Sequence, residues 1–138
     1  MVSVHVEGVE EPGDVVRKAR DKGMRAGLAV APETPIERVL PHLHELDNVI
    51  VMSVRPGWAG QSFRPEVLPK IERVRSEVDR LGLSVGIEAD GGINVETGRR
   101  CVDAGATVLA AASSIYRAPD PVEAIRALAS VARGEEVA

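Results

Sequence analysis

The chain has 138 residues, of which 44% are hydrophobic and 28% are charged, and its net charge is −4 at pH 7. This length suits one domain, and no apolar run approaches the roughly 20 residues that span a bilayer. The 17 Lys and Arg residues form no block and aromatic residues make up 2% of the chain, so we expect neither a nucleic-acid nor a membrane partner. A single cysteine, Cys101, and the lack of a signal-peptide pattern favour the cytoplasm.

Five short aliphatic runs predict buried strands, at residues 2–6, 25–30, 48–54, 83–89 and 106–111. They alternate with segments of helical spacing, which predicts an α/β fold of successive βαβ units around a parallel sheet. Such a sheet is either open and doubly wound or closed as a (β/α)8 barrel. Ligands bind at the carboxyl ends of the strands in both cases, so those ends are the first place to look for a site.

The segment at residues 35–46 predicts a helix, because its apolar side chains recur at three- and four-residue intervals. Thr34 and Glu37 have the spacing of a capping box, with Pro35 at the first helical position.

Three further segments predict helices. One covers residues 65–82 and is stopped by Gly82, and a shorter one lies between Asn94 and Gly105. The last helix begins at Asp120 and Pro121, and its predicted buried face is Val122, Ile125, Leu128 and Val131.

Small residues dominate the loops after the last three predicted strands, which read MSVRPGWAGQSF, EADGGIN and AASSIY. Glycine lets the backbone approach a ligand closely and turn its N–H groups inward, so loops of this kind suit a phosphate group. Asp90 stands at the end of one apolar run, directly before Gly91 and Gly92. The residues alone leave two interpretations of this triplet, a tight turn and a working site.

A resemblance to a known family is carried, in both order and spacing, by four stretches within residues 4–132. They read HVEGVEEPGDVVRKARDKGMRAGLAVAPETP, VMSVRPGWAGQSF, IEADGGIN and AGATVLAAASSIY. Together they resemble the ribulose-phosphate 3-epimerase family. The resemblance implies a TIM barrel that interconverts D-ribulose 5-phosphate and D-xylulose 5-phosphate in the pentose phosphate pathway. It also implies a bound divalent metal ion, Zn²⁺, Fe²⁺, Mn²⁺ or Co²⁺, and a small-molecule phosphosugar as the partner.

The resemblance assigns roles to particular residues. Asp90 matches the aspartate that is both a metal ligand and one of two acid/base groups, and the bare backbone of the glycines after it lies against the phosphate. Met52 matches a methionine packed against the substrate region, although a core position is the commoner explanation for such a residue. His5 is expected to line the barrel mouth as a hydrogen-bonded side chain. The remaining matches form the phosphate-binding loops: Gly57, Trp58, Ala59, Gly60, Gly91, Gly92, Ala112 and Ser113.

Two residues depart from the family pattern. Ala59 and Ala112 stand where the family usually has glycine. A methyl group there is harmless where φ is negative, but it would push the phosphate outward where the loop needs a positive φ.

By the family pattern the first predicted strand is the fourth strand of the barrel, so residues 1–138 are expected to form a single partial TIM-barrel domain. The partner carboxylate and the other metal ligands belong to the three earlier strands. We therefore expect the chain alone to be inactive, and its uncovered sheet edges to favour homo-oligomers or aggregation. Truncation, a gene-model error and completion by another chain all remain open.

Two other functions remain open as well. Another phosphosugar barrel, a synthase or a decarboxylase, would need a lysine or a differently placed acid at a strand end, and no predicted strand ends in lysine. A noncatalytic phosphosugar-binding or assembly module is favoured by the missing ligands and by Ala112.

Overall fold

The computed structural model describes residues 1–58, 60–135 and 137. The described residues form one parallel sheet in the order β1-β2-β3-β4-β5. This sequential order, without a reversal, is that of consecutive units of a (β/α)8 barrel and not that of a doubly wound sheet. The predicted α/β class and the five predicted strands are confirmed, with shifted ends: β1 Val2–His5, β2 Ala26–Val30, β3 Asn48–Met52, β4 Gly86–Asp90 and β5 Val108–Ala110.

Helices connect the strands. The α-helices are α1 Pro12–Asp21, α2 Leu68–Arg80, α3 Val95–Asp103, α4 Ser113–Tyr116 and α5 Pro121–Ala132. Short 3-10 helices cover Val6–Gly8, Ile36–Arg38, Leu40–Glu45 and Pro65–Val67. Within the described part of the chain, none of these helices has both the length and the apolar content needed to cross a membrane.

The two faces of the sheet differ in character because side chains alternate along each strand. Val49, Val51, Ile87 and Ala89 are fully buried in the core that the helices cover. The alternate residues of the same strands face the other way and form what we call the inner face, which corresponds to the interior of a barrel. On β3 and β4 the inner face consists of Asn48, Ile50, Met52, Gly86, Glu88 and Asp90.

The predicted continuous helix at residues 35–46 is wrong. The structure has two 3-10 helices there, Ile36–Arg38 and Leu40–Glu45, with Pro41 in the first turn of the second. Proline has no backbone N–H and its ring clashes with the carbonyl four residues earlier, so an α-helix cannot continue through Pro41. The capping box at Thr34 does not form either, because Pro35 occupies the N-cap position without a side-chain cap.

A capping box forms instead at the start of α3. The Asn94 side chain accepts a hydrogen bond from Thr97 N at 2.9 Å, and Thr97 Oγ1 accepts one from Asn94 N at 2.9 Å. Thr97 Oγ1 also donates to the carbonyl of Gly92 at 2.9 Å, so the beginning of α3 is fixed to the turn after β4.

Helix α5 begins where the sequence predicts, but its buried face is only half confirmed. Asp120 caps the helix by accepting hydrogen bonds from the N–H groups of residues 122 and 123. Leu128 and Val131 are buried, whereas Val122 and Ile125 are 56% and 52% exposed. The C-terminal half of the helix packs on the core, and no described element covers these two side chains.

Lys70 of α2 holds the loop that follows β2. Its ammonium group donates to the carbonyl oxygens of Ala31, Pro32 and Thr34 at 3.0, 2.6 and 2.5 Å. These three bonds use all three of its protons. The loop at the carboxyl end of β2 is thereby anchored to the neighbouring helix.

Candidate active site

A cleft of about 340 Å³ opens at the carboxyl ends of β3, β4 and β5. It brings together residues from three loops that are far apart in the sequence. The predicted site residues that line it are Met52, Gly57, Trp58, Gly60, Asp90, Gly91, Gly92, Ala112 and Ser113. Of the other two predicted residues, His5 does not line the cleft, and Ala59 lies outside the described residues.

Asp90 is the last residue of β4 and pairs in register with Met52 of β3. Its side chain lies on the inner face, opposite to Ala89, and it is half-buried in the cleft. Burial raises the pKa of the Asp90 carboxyl, and the nearby charge of His5 lowers it by less. A raised carboxyl pKa moves the group toward the range in which it can both take up and release a proton near neutral pH.

Ser53, which the sequence analysis did not single out, fixes the backbone on both sides of the Asp90 carbonyl. Its amide donates to the carbonyl oxygen of Asp90 at 2.8 Å. Its fully buried hydroxyl lies 3.0 Å from the carbonyl oxygen of Asp90 and 2.6 Å from that of Gly91, and the two carbonyls share its one proton. The only signal in the sequence was a serine directly after an apolar strand, which is too common to identify a site.

Gly91 and Gly92 have φ angles of +116° and +63°, which side-chain-bearing residues rarely adopt. A Cβ on Gly91 would overlap a methyl carbon of Val54, and one on Gly92 would lie 2.7 Å from Phe63 N. The glycines are therefore required because the loop after β3 packs directly against the turn. The backbone of these two glycines is expected from the sequence to lie against the phosphate. In the structure, the loop after β3 occupies the side of that backbone on which a Cβ would lie.

The loop after β3 forms one wall of the cleft. Gly57 and Gly60 have φ angles of +137° and +83°, as a sharply turning glycine loop requires. The Gln61 side-chain amide donates to the carbonyls of Arg55 at 2.7 Å and Trp58 at 2.9 Å, which ties the turn to itself. Trp58 is 66% exposed, so its indole ring lies at the mouth of the cleft and not in the core.

The third loop begins at Ala112, just after β5. Ala112 has a φ of −129°, which any residue can adopt, so the alanine requires no left-handed backbone at this position. The Ser114 hydroxyl donates to the carbonyl of Ile93 at 2.6 Å and joins this loop to the turn after β4. Ala112 in place of the family's glycine therefore carries no penalty for a positive φ.

His5 lies at the carboxyl end of β1, with its Nδ1 atom 3.3 Å from a carboxylate oxygen of Glu7. Glu7 in turn accepts a hydrogen bond from the amide of Ala31 at 2.8 Å. Burial raises the pKa of the Glu7 carboxyl, but hydrogen bonds from Thr34 and Ala31 outweigh it and leave that pKa lowered. Glu7 thus remains ionised and orders the loop after β2, beside the histidine.

Within residues 1–58, 60–135 and 137, no three His, Cys, Asp or Glu side chains converge in an arrangement that would hold a metal ion. Asp90 is also the sole carboxylate among the described residues that line the cleft. A divalent cation requires several ligands at fixed geometry. The described residues therefore do not fit a complete divalent-metal site.

Comparison with known proteins identifies the family. The model of the ribulose-phosphate 3 epimerase family matches residues 1–116. The chain belongs to this family. A ribulose-phosphate 3-epimerase of Schizosaccharomyces pombe is 41% identical over 133 residues, which are 96% of this chain and 57% of that protein. One of Mycobacterium tuberculosis is 43% identical over 127 residues, 92% of this chain and 56% of that protein.

The chain thus spans little more than half the length of the curated relatives it matches. A solved structure of 3-hexulose-6-phosphate synthase superimposes with a TM-score of 0.66 at 21% sequence identity, covering 94% of this chain and 60% of that one. The synthase of Salmonella typhimurium gives 0.61 at 19% identity, covering 98% and 62%. At these identities the likeness concerns the fold, and it confirms the predicted TIM-barrel type.

Proposed function

We propose that this chain forms the phosphate-binding and proton-transfer half of a ribulose-phosphate 3-epimerase, which interconverts D-ribulose 5-phosphate and D-xylulose 5-phosphate. The observation that carries the proposal is the position of Asp90 on the inner face, in a cleft walled by three small-residue loops. A carboxylate directed at the middle of a bound sugar, beside amides suited to its phosphate, is the arrangement that this reaction needs.

Inversion at C3 of a 2-ketose begins with removal of the proton next to the carbonyl and ends with return of a proton from the opposite face. Asp90 serves one of these two faces. The turn that carries it is held by Ser53 and by the packing of Gly91 against Val54, so the carboxylate is positioned before the substrate arrives.

If a divalent metal is bound, Asp90 would be the residue of this cleft that holds it, and the metal would supply Lewis-acid stabilisation of negative charge on the substrate. Its further ligands, and the acid/base group for the second face, have no counterpart among the described cleft residues. We accordingly propose that the 138-residue chain by itself binds the phosphosugar without turning it over.

A chimera tests the epimerase assignment. The part of the Schizosaccharomyces pombe relative that this chain does not match is joined to the chain, and conversion of D-ribulose 5-phosphate is measured with Zn²⁺, Mn²⁺ or Fe²⁺ present. We expect activity in the chimera and a loss of at least about 1,000-fold in its Asp90→Asn variant, because a required proton-transfer group is removed.

Asp103→Asn provides the matched control, since Asp103 is exposed at the end of α3, away from the cleft. A folded chimera without activity, or one whose activity survives Asp90→Asn, would contradict the assignment. Turnover by the 138-residue chain alone that depends on Asp90 would refute the proposed inactivity of the isolated chain.

A noncatalytic phosphosugar-binding module is the second candidate. It is favoured by the single carboxylate among the described residues of the cleft. Binding of D-ribulose 5-phosphate by a chimera that never converts it would select this alternative.

A further inference from the structure

Two arginines lie at the phosphate side of the candidate site, and they differ in their partners. Arg55 lines the main cleft, but its Nε atom donates to Glu33 at 2.8 Å, so its charge is already balanced. Arg117 follows α4 and lines an adjoining cleft of about 430 Å³ that shares Gly92 and Ser113 with the first. In the described part of the chain, Arg117 has neither an ion-pair partner nor a side-chain hydrogen bond.

The guanidinium of Arg117 faces the glycine turn of the loop after β3. A Cβ placed on Gly60 would lie 3.7 and 3.9 Å from the two terminal nitrogens of Arg117. The same guanidinium lines the adjoining cleft together with Ser113 and Ser114. An exposed cation is therefore held between two of the three loops that wall the candidate site.

The charge of Arg117 matters for the binding of an anion in the cleft. The backbone amides of Gly92 and Ser113 make no hydrogen bond to another described residue, so they are available to an anion. Amides carry only partial charges, whereas a sugar phosphate is close to a dianion at neutral pH. A guanidinium supplies a full charge and a planar pair of donors that match phosphate oxygens.

We propose that Arg117 binds the substrate phosphate directly, as the side-chain counter-charge that completes the cradle formed by the Gly60 turn, Gly92 and Ser113. That the phosphate belongs to a phosphosugar rests on the proposed function. The role assigned to Arg117 concerns the anion alone, so it can be measured without the sugar.

Inorganic phosphate is the probe, titrated into the 138-residue chain at constant ionic strength. Trp58 is the single tryptophan of the chain and lies at the cleft mouth, so its fluorescence reports occupancy, and calorimetry gives a second readout. Arg117→Ala is expected to weaken phosphate binding about tenfold or more, because a charge-assisted hydrogen bond is lost. Arg117→Lys is expected to fall between, because it keeps the charge and loses the planar fork.

Arg126→Ala is the matched control. It removes the same charge from an exposed arginine of α5, which lies 3.6 Å from Glu123 and does not line either cleft. We expect it to bind phosphate as the unchanged chain does. Circular dichroism tests whether each variant is folded. We expect that they are, because Arg117 is exposed and its replacement leaves the core intact.

Failure of the unchanged chain to bind phosphate, or equal affinity in Arg117→Ala, would overturn the inference. The epimerase assignment is decided separately by the chimera and Asp90→Asn. Phosphate binding that depends on Arg117 in a chimera without epimerase activity would support the role of Arg117 and remove the proposed function. An active chimera whose phosphate affinity is unchanged by Arg117→Ala would support the proposed function and overturn the role of Arg117.

Discussion

Gly92 lies where the turn after β4 passes beneath the loop after β3, and it has no room for a side chain. Gly92→Ala is expected to lower the free energy of unfolding by about 1–3 kcal/mol, through a strained positive φ and a displaced loop. The contact responsible is the 2.7 Å approach of the added Cβ to Phe63 N. Urea denaturation measures the change.

Gly8→Ala is the control for this substitution. Gly8 has no positive φ and no atom within 4 Å of an added Cβ. Its replacement should leave the unfolding free energy almost unchanged. Equal effects of the two substitutions would show that the packing of the β3 loop on Gly92 contributes little.

The residues of the candidate site differ in how far the sequence could predict them. The position of Asp90 at a strand end was predictable, because an acid follows an apolar run and precedes two glycines, but only the family resemblance favoured a working site over a tight turn. Ser53 and the close packing of Gly92 on Phe63 were not predictable, because they depend on contacts between residues that are 29 to 38 positions apart in the sequence. Arg117 was missed for the same reason, since its approach to Gly60 exists only in the folded chain.

At the scale of elements, Glu33 joins the loop after β2 to the loop after β3. Its carboxylate accepts hydrogen bonds from Arg55 at 2.8 Å and from Arg64. These two bonds lower the pKa of Glu33 from 4.5 to about 2. Because the folded-state pKa is the lower one, the stabilisation is present above pH 4.5 and is lost as the pH falls toward 2.

Glu33→Gln should therefore remove part of the acid sensitivity of folding in this pH window. The effect should be small and should shrink further in high salt, since the group is exposed to solvent. Unfolding free energies measured from neutral pH down to the acid limit would show it, with Glu10→Gln as a control at an exposed acid that has no ion pair to a described residue. Parallel pH profiles for the unchanged chain and Glu33→Gln would show that the bonds of Glu33 to Arg55 and Arg64 do not contribute to the acid sensitivity of folding.

Apolar periodicity predicted helices and their buried faces correctly where a neighbouring element covers the whole apolar stripe. The predictions failed elsewhere. The apolar pattern of residues 35–46 is helical, yet Pro41 removes a donor and splits the segment into two 3-10 helices. The stripe of α5 is correct in spacing, but Val122 and Ile125 remain exposed, because burial depends on what lies opposite the helix. A sequence pattern identifies the apolar face of a helix, but it does not identify the element that packs against that face.

At the scale of the whole molecule, the described residues form an open sheet with two free edges, at β1 and β5, and an inner face that is only partly buried. Val108 lies on the inner face of the edge strand, in register with Glu88, and is 42% exposed. Unpaired strand edges and exposed apolar side chains promote association. We expect the 138-residue chain to self-associate as its concentration rises, and Val108→Lys to reduce this.

Sedimentation velocity over a concentration series tests that expectation. Val122→Lys is a matched control, because it places the same charge at an exposed valine of α5 and not on the sheet. A chain that stays monomeric throughout, or one whose association is insensitive to Val108→Lys, would argue against the edge as the cause.

The strand order at this scale was only partly predictable. Alternating strand and helix patterns indicated parallel βαβ units, but they fit open and closed sheets equally. The uninterrupted order from β1 to β5 resolved that choice, and it depends on which strands pair in space.

The engagement of all three protons of Lys70 has a practical consequence. The Lys70 ammonium must lose a proton before its nitrogen can attack an acylating reagent, and that proton is held in a bond to a carbonyl oxygen, whereas Lys18 and Lys22 are exposed on and just after α1. Modification of Lys70 therefore requires at least one of the bonds that hold the β2 loop to α2 to break. Mass spectrometry of the slowest-labelled lysine would time that opening, without any dye or engineered probe.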